Sequence, residues 1–229
     1  MINTHSYPVV LINGQCWMGK NFNEPPTAGC TATVNTGCNT WTTNTTTKSD
    51  LGLWGWYNGG VESGASGWRT SAIYPEYGML YQWSAAMNGS ATERAQGVCP
   101  AGWHIPSDCE WMFLEHGLGM TIAEQISISS SRTGNTTKVG NKLVLVGAEY
   151  PNPDTFPYTN SSGFGASFPG FRRAADGSFA NKSTNGYYWT STIDTASHPI
   201  YRYVGGGNGV GRGTNLTVGN ALPVRCLKD

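Results

Sequence analysis

Charge is scarce in this chain. Only 12% of its 229 residues are Asp, Glu, Lys or Arg, fourteen of each sign. No basic stripe is available to neutralise a phosphate backbone, which counts against nucleic acid as a partner. Long apolar runs are missing as well: nothing approaches the ~18 to 20 residues needed to cross a bilayer, which counts against direct membrane insertion. The first twenty residues have neither the basic start nor the apolar run of a secretory leader. An extracellular protein of this kind is then expected to have lost its leader or to leave its cell as part of a virion. The histidines and cysteines form no C-x-x-C, H-x-x-x-H or H-E-x-x-H, the spacings that would gather a zinc ion. No serine has the G-x-S-x-G setting of a nucleophile elbow. No metal, cofactor or enzymatic activity is expected. The last absence is local: from Thr190 to Leu227 there is no Gln, Glu, Lys, Met or Trp, although these types make up about one residue in seven of the whole chain.

That gap has a pattern. The residue types that do occur in the window all belong to the fifteen that an asparagine codon, AAY, reaches when only its adenines change. With the whole chain's composition as the prior, chance leaves such a gap well under ~1% of the time. Adenine-directed mutagenesis has this output. The window therefore reads as a binding surface whose side chains are drawn by lot on a fixed scaffold.

The length suits one large domain that buries its own core. With 31 Gly, 9 Trp, 11 Tyr and Thr/Asn/Ser tracts between aromatic clusters, it suits many short strands and much loop, and excludes a helical bundle. Residues 7–22 (YPVVLINGQCWMGKNF) predict two strands around the turn Asn13-Gly14. Residues 27–50 are too polar for a core and read as a loop. Two helices are expected. One covers 76–88, where Tyr77, Leu80, Tyr81, Ser84 and Met87 keep helical spacing. The other covers 106–119, where Ser107 and Glu110 have the spacing of a capping box and Gly117 or Gly119 ends the element. KLVLVG (142–147), GFRR, GYYWTST, IYRYV and LPVRCL are strand candidates, which gives an α+β order. Six cysteines favour an oxidising compartment with up to three disulfides. Cys30 with Cys38, Cys99 with Cys226 and a remaining Cys16 and Cys109 are one arrangement among fifteen.

Individual residues carry little chemistry. His104, between Trp103 and Ile105-Pro106, reads as a packed histidine bonded to backbone. The run GGGNGVGRG (205–213) fits neither dinucleotide nor P-loop spacing. In IYRYV, Tyr201 and Tyr203 share one face of a strand and Arg202 and Val204 the other. Tyr with Ser, Gly and Asn is the mixture that antibody paratopes use.

Six segments together resemble the Fibrobacter succinogenes major paralogous domain family: NGQCWMGKNF (13–22), YGMLYQWSAAMNG (77–89), CPAGWHIPSDCEW (99–111), GFGASFPGFRR (163–173), GYYWTST (186–192) and LPVRCLKD (222–229). The resemblance implies a C-type-lectin-like fold with short antiparallel strands, two helices and long irregular insertions. It also implies distant kinship to formylglycine-generating oxidases and to the variable proteins of diversity-generating retroelements, in which a reverse transcriptase rewrites C-terminal codons at adenines. The expected organisation is a single domain over 1–229, with insertions at 27–50 and 120–160 and a variable region at 190–227. The expected function is binding of a protein or glycan ligand at a cell surface, by a protein displayed on a cell or a phage virion. The contacts expected are Asp194, His198, Tyr201, Tyr203, Asn208, Arg212, Thr214, Asn215 and Asn220. The alternatives are a fixed-sequence surface or adhesion module of the same family and, behind it, an oxidase.

Overall fold

A computed structural model describes residues 5–24, 26, 52–55, 77–129, 132, 138–147, 157–205 and 209–229. Asn208, the loop 27–50 with Cys30 and Cys38, and parts of 120–160 lie outside these residues.

The chain opens with the hairpin read from Asn13-Gly14. Strands β1 (Val9–Ile12) and β2 (Gln15–Met18) pair antiparallel. Both turn residues have positive φ, 48° and 79°, the geometry that matches the right-handed twist of the strands. Strand β2 then pairs with the C-terminal β12 (Leu227–Lys228), which pairs with β5 (Trp103–His104), closing a four-stranded sheet. A five-stranded sheet runs β3 (Trp54–Gly55), β4 (Leu80–Gln82), β11 (Ala221–Pro223), β6 (Phe171–Arg172) and β7 (Phe179–Ala180). The third sheet is β8 (Asn185–Ile193), β9 (Pro199–Gly205) and β10 (Val210–Gly213), and it carries the site. All pairings between these strands are antiparallel.

The α+β expectation is overturned: among the described residues the chain is mainly β, with three sheets and twelve strands. Of its helices α1 (Trp83–Ala86), α2 (Asp108–Gly117), α3 (Ile122–Ile126) and α4 (Val139–Leu143), only α2 exceeds five residues. The helix expected over 76–88 shrinks to the single turn α1. Residues 77–83 are buried one after another, with Leu80–Gln82 between two neighbouring strands, so helical spacing of apolar residues selects no face there. Gly78 is in the left-handed region at φ 68°, and a Cβ there would lie 2.7 Å from both Asn21 Cβ and the Phe22 carbonyl oxygen. The strand expected over 142–147 fails for a related reason: it begins inside α4, and only Val144 makes a bridge, to Ala166. Short apolar runs do not distinguish strand from buried helix.

Helix α2 forms as its sequence dictates. Ser107 Oγ accepts from the Glu110 amide at 3.2 Å, and Glu110 Oε2 accepts from the Ser107 amide at 2.8 Å. The N-terminal end of a helix leaves its first four amide donors without intrahelical partners, and this reciprocal pair satisfies two backbone amides while fixing the entry of the chain. The helix buries Trp111, Leu114 and Glu115. Trp111 packs on Trp17, Phe164 and Tyr188 at centroid distances of 5.0–5.5 Å.

The β8–β9–β10 sheet lies between two apolar clusters. Tyr188, Val204 and Val210 point into the one that holds Trp17, Trp111 and Phe164. Tyr187, Trp189 and Tyr201 point into the other, with Tyr81, Trp83 and Leu222. Cys99 and Cys226 form a disulfide across 127 residues. Cys16 and Cys109, the remaining pair on paper, are both free. Cys16 alternates with Trp17, whose ring faces Trp111 on α2, so its thiol is on the face of β2 away from the helix, and Cys109 is exposed on α2.

Candidate ligand-binding groove

Cross-strand register builds the site. Tyr187 on β8, Tyr203 on β9 and Gly211 on β10 stand in one row; Trp189, Tyr201 and Gly213 stand in the next. Side chains of a row share a face. Three tyrosine rings therefore gather, Tyr187 to Tyr203 at 5.5 Å, Tyr187 to Tyr201 at 6.1 Å and Tyr201 to Tyr203 at 6.4 Å between centroids. They floor a groove of about 420 Å³. Its walls are Asn185 on one side and Gly213, Thr214 and Asn215 on the other, with Ile128 and Ser129 beyond β10. Ser129 bridges to Arg212, its carbonyl accepting from the Arg212 amide at 3.1 Å, so the segment after α3 covers the free edge of β10.

Two of the three floor rings are tied down through their hydroxyls. Tyr201 Oη donates to Asn215 Oδ1 at 2.6 Å, and Tyr187 Oη accepts from Asn181 Nδ2 at 2.7 Å. Burial, with Tyr187 and Tyr203 beside it, pushes the Tyr201 hydroxyl up to about 12; burial also raises Tyr187. Neither ionises near neutral pH. Tyr187 and Tyr201 are buried, whereas Tyr203 is half-buried and Asn215 exposed.

The opposite face of the same strands holds an ion cluster. Arg202 and Arg212 are register partners, and Asp108 at the start of α2 accepts from both: Arg202 Nη1 at 2.5 Å, Arg212 Nε at 2.9 Å and Nη2 at 2.8 Å. Glu115 accepts from Arg202 Nε at 2.8 Å and from Arg132. Burial alone would raise the Asp108 carboxyl, but the two guanidiniums outweigh it and hold it below the usual range. Bonding to Asp108 in turn raises Arg212.

The predicted contact residues separate accordingly. Tyr201, Tyr203, Thr214 and Asn215 meet in the groove. Arg212 borders it, but its guanidinium is committed to Asp108 and to the Ile126 carbonyl. Asp194 and His198 lie at the β8–β9 turn, outside the groove lining, where Asp194 Oδ1 accepts from the amides of Ala196 and His198 and shapes the turn. Asn220 is buried: its Oδ1 accepts from the Ala174 amide and its Nδ2 donates to Thr217. Tyr187, Asn185, Ile128 and Ser129 were not anticipated. For Tyr187 the signal existed, since GYYWTST and IYRYV, once paired as a hairpin, set Tyr187 opposite Tyr203.

His104 is buried as expected, but its ring is held by carboxylates, not backbone: Nδ1 to Asp229 Oδ1 at 2.6 Å and Nε2 to Glu110 Oε1 at 3.1 Å. Burial opposes its charge, and the two carboxylates win and raise its pKa. It is an ion-paired strut between β5, α2 and the C-terminal residues.

A model of the Fibrobacter succinogenes major domain family matches residues 10–228. The chain belongs to that family. No curated protein and no solved structure matches it. In this family member the motif Leu222–Asp229 supplies β11's end, β12, the disulfide half Cys226 and the buried Arg225, whose guanidinium lies 4.1 Å from the Phe164 ring centroid.

Proposed function

We propose that this protein is a non-enzymatic ligand-binding module that presents the tyrosine-floored groove to a protein or glycan at a cell surface. We further propose that the groove is diversified by adenine-directed mutagenesis of codons 190–227. One observation carries the reading: six of the ten groove-lining residues, 201, 203 and 212–215, fall within the window that lacks Gln, Glu, Lys, Met and Trp. The window is about a sixth of the chain, so the overlap links an odd composition to one place on the surface. Tyrosine supplies contact area at low entropic cost, and Asn and Thr add adaptable hydrogen bonds. The scaffold contributes by holding these groups in place before a ligand arrives. Display on a cell or a virion fits that role.

A fixed-sequence surface module is the second reading, favoured by Arg202 and Arg212, which lie in the window yet are locked to Asp108. Sequencing the DNA beside the gene separates the two. A near-copy of codons 190–227, differing almost only at adenines and accompanied by a reverse transcriptase gene, is the expected result. Its absence would leave the fixed module.

A further inference from the structure

Two glycines of β10 lie where side chains would collide with the groove floor. A Cβ built on Gly211 would stand 2.0 Å from Cε1 and 2.2 Å from Cζ of Tyr203; one on Gly213 would stand 2.4 Å from Oη and 2.5 Å from Cζ of Tyr201. Neither glycine has the left-handed φ that would call for glycine on backbone grounds. What forbids a side chain is the ring lying across the strand. We infer that Gly211 and Gly213 are sockets that set the shape of the groove: each receives one tyrosine ring, and any larger residue turns that ring out of its place. The inference rests on the groove reading above and names two determinants that act through the rings they receive, Gly211 from outside the lining and Gly213 within it.

The two sockets differ in what a substitution does. Tyr203 is half-buried and sits at the groove, so its ring can rotate about χ1 into the opening, and the protein folds with a narrowed groove. Tyr201 is 6% exposed, is bonded to Asn215 and packs edge-on against Trp189 at 6.5 Å. It has no comparable way out, so filling Gly213 breaks the Asn215 bond or strains the core. Position 211 thus behaves as an adjustable setting of groove shape, and position 213 as a fixed one. Under diversification, residues 203 and 211 are then selected as a pair, large with small.

The experiment uses the full chain labelled with 3-fluorotyrosine, the Tyr203 and Tyr201 fluorine resonances being assigned with Tyr203→Phe and Tyr201→Phe. In Gly211→Ala and Gly211→Val the Tyr203 resonance is expected to move by more than its linewidth and to broaden more strongly with a soluble gadolinium chelate. The unfolding midpoint stays close to the parent's. Gly213→Ala is expected to shift Tyr201 and lower the midpoint. The double variant Gly211→Val with Tyr203→Ser should recover the parent's midpoint if Gly211→Val alone has lost any. A Tyr203 resonance that stays put in both Gly211 variants overturns the inference, as does loss of folding by Gly211→Ala. Either result leaves the groove reading to the sequencing test. A displaced Tyr203 ring with no codon copy beside the gene would keep the sockets as the geometry of a fixed groove.

Discussion

Removing Asp108 isolates the contribution of the ion cluster that supports the groove from below. In Asp108→Ala the register partners Arg202 and Arg212 lose their shared acceptor, and Glu115 alone faces Arg202 and Arg132. Arg202, Arg132 and Glu115 side chains have no exposure, so water cannot replace the lost carboxylate. Breaking a buried pair from one side costs about 3–5 kcal/mol, and for a chain of this size each kcal/mol lowers Tm by about 2–4 °C. The expected fall is about 6–20 °C. Arg212→Met removes a cation whose side chain is 12% exposed and leaves Asp108 paired with Arg202. It should cost less, roughly 1–2 kcal/mol, between the exposed and buried limits. The double variant is the decisive one. Taking Arg212 away from Asp108→Ala also removes the repulsion it faces from Arg202, so the double should be more stable than Asp108→Ala alone, with a coupling of about 1 kcal/mol or more. Urea unfolding at pH 7 measures all three, well above the pH at which the depressed Asp108 carboxyl protonates. Additive losses, or a single-variant cost below about 1 kcal/mol, would refute the account of these groups as one cluster.

Three further outcomes follow from the scaffold. The folded pKa of His104 lies above its ordinary value, so its contribution is complete below about pH 6.5 and is lost as pH rises through the folded value. Glu110 is depressed to about 2, so its contribution is present above about pH 4.5 and is lost as pH falls toward 2. Stability from this cluster therefore peaks between those limits, and His104→Gln should flatten the alkaline fall; an unchanged slope from pH 6.5 to 9 would contradict it. Reducing Cys99–Cys226, which closes a loop of 127 residues, should cost up to about 5 kcal/mol. The test is Tm with and without dithiothreitol after Cys16 and Cys109 are alkylated, and no shift would count against it. Ser107→Ala removes the cap of α2 and should cost about 1 kcal/mol, and an unaltered unfolding midpoint would show the cap to be idle.

Local chemistry was legible in the sequence wherever one short segment decides the structure. Asn13-Gly14 gives its hairpin and Ser107 with Glu110 gives its cap, because the determining groups are within three residues of each other. The Tyr201/Tyr203 face was legible from strand alternation, and the register then joined it to Tyr187. What failed was decided at a distance. Residues 77–83 look helical until β3 and β11 pair on both sides of β4. Arg212 looks like a contact until Asp108, over a hundred residues away, draws its guanidinium to the far face. Asn220 looks like a surface amide until the Ala174 backbone needs an acceptor. Ile128 and Ser129 enter the groove through one bridge to β10, which no local pattern announces.

The same geometry sorts the window into positions that can vary and positions that cannot, and so predicts where adenines should lie in a codon copy. Arg202, Val204, Val210, Leu222, Val224 and Cys226 are buried, each serving a core cluster, the ion cluster or the disulfide, and buried Arg225 donates to Asn21 Oδ1 and to the Met18 carbonyl. Random substitution at such sites carries costs of about 2–5 kcal/mol, a large part of the 5–15 kcal/mol that holds a domain folded. A repertoire varied there would be mostly unfolded. Residues 201, 203, 214 and 215 border the groove, and 211 answers to 203. If mutagenesis and folding coexist, the copy should therefore carry AAY at codons 203, 211, 214 and 215, and adenine-free or matching codons at 201, 202, 204, 210, 225 and 226, since Tyr201 borders the groove but is itself core. Adenine differences spread evenly over both sets would mean that the groove is not what the variation serves, because no rule of alternation would then separate the face from the core.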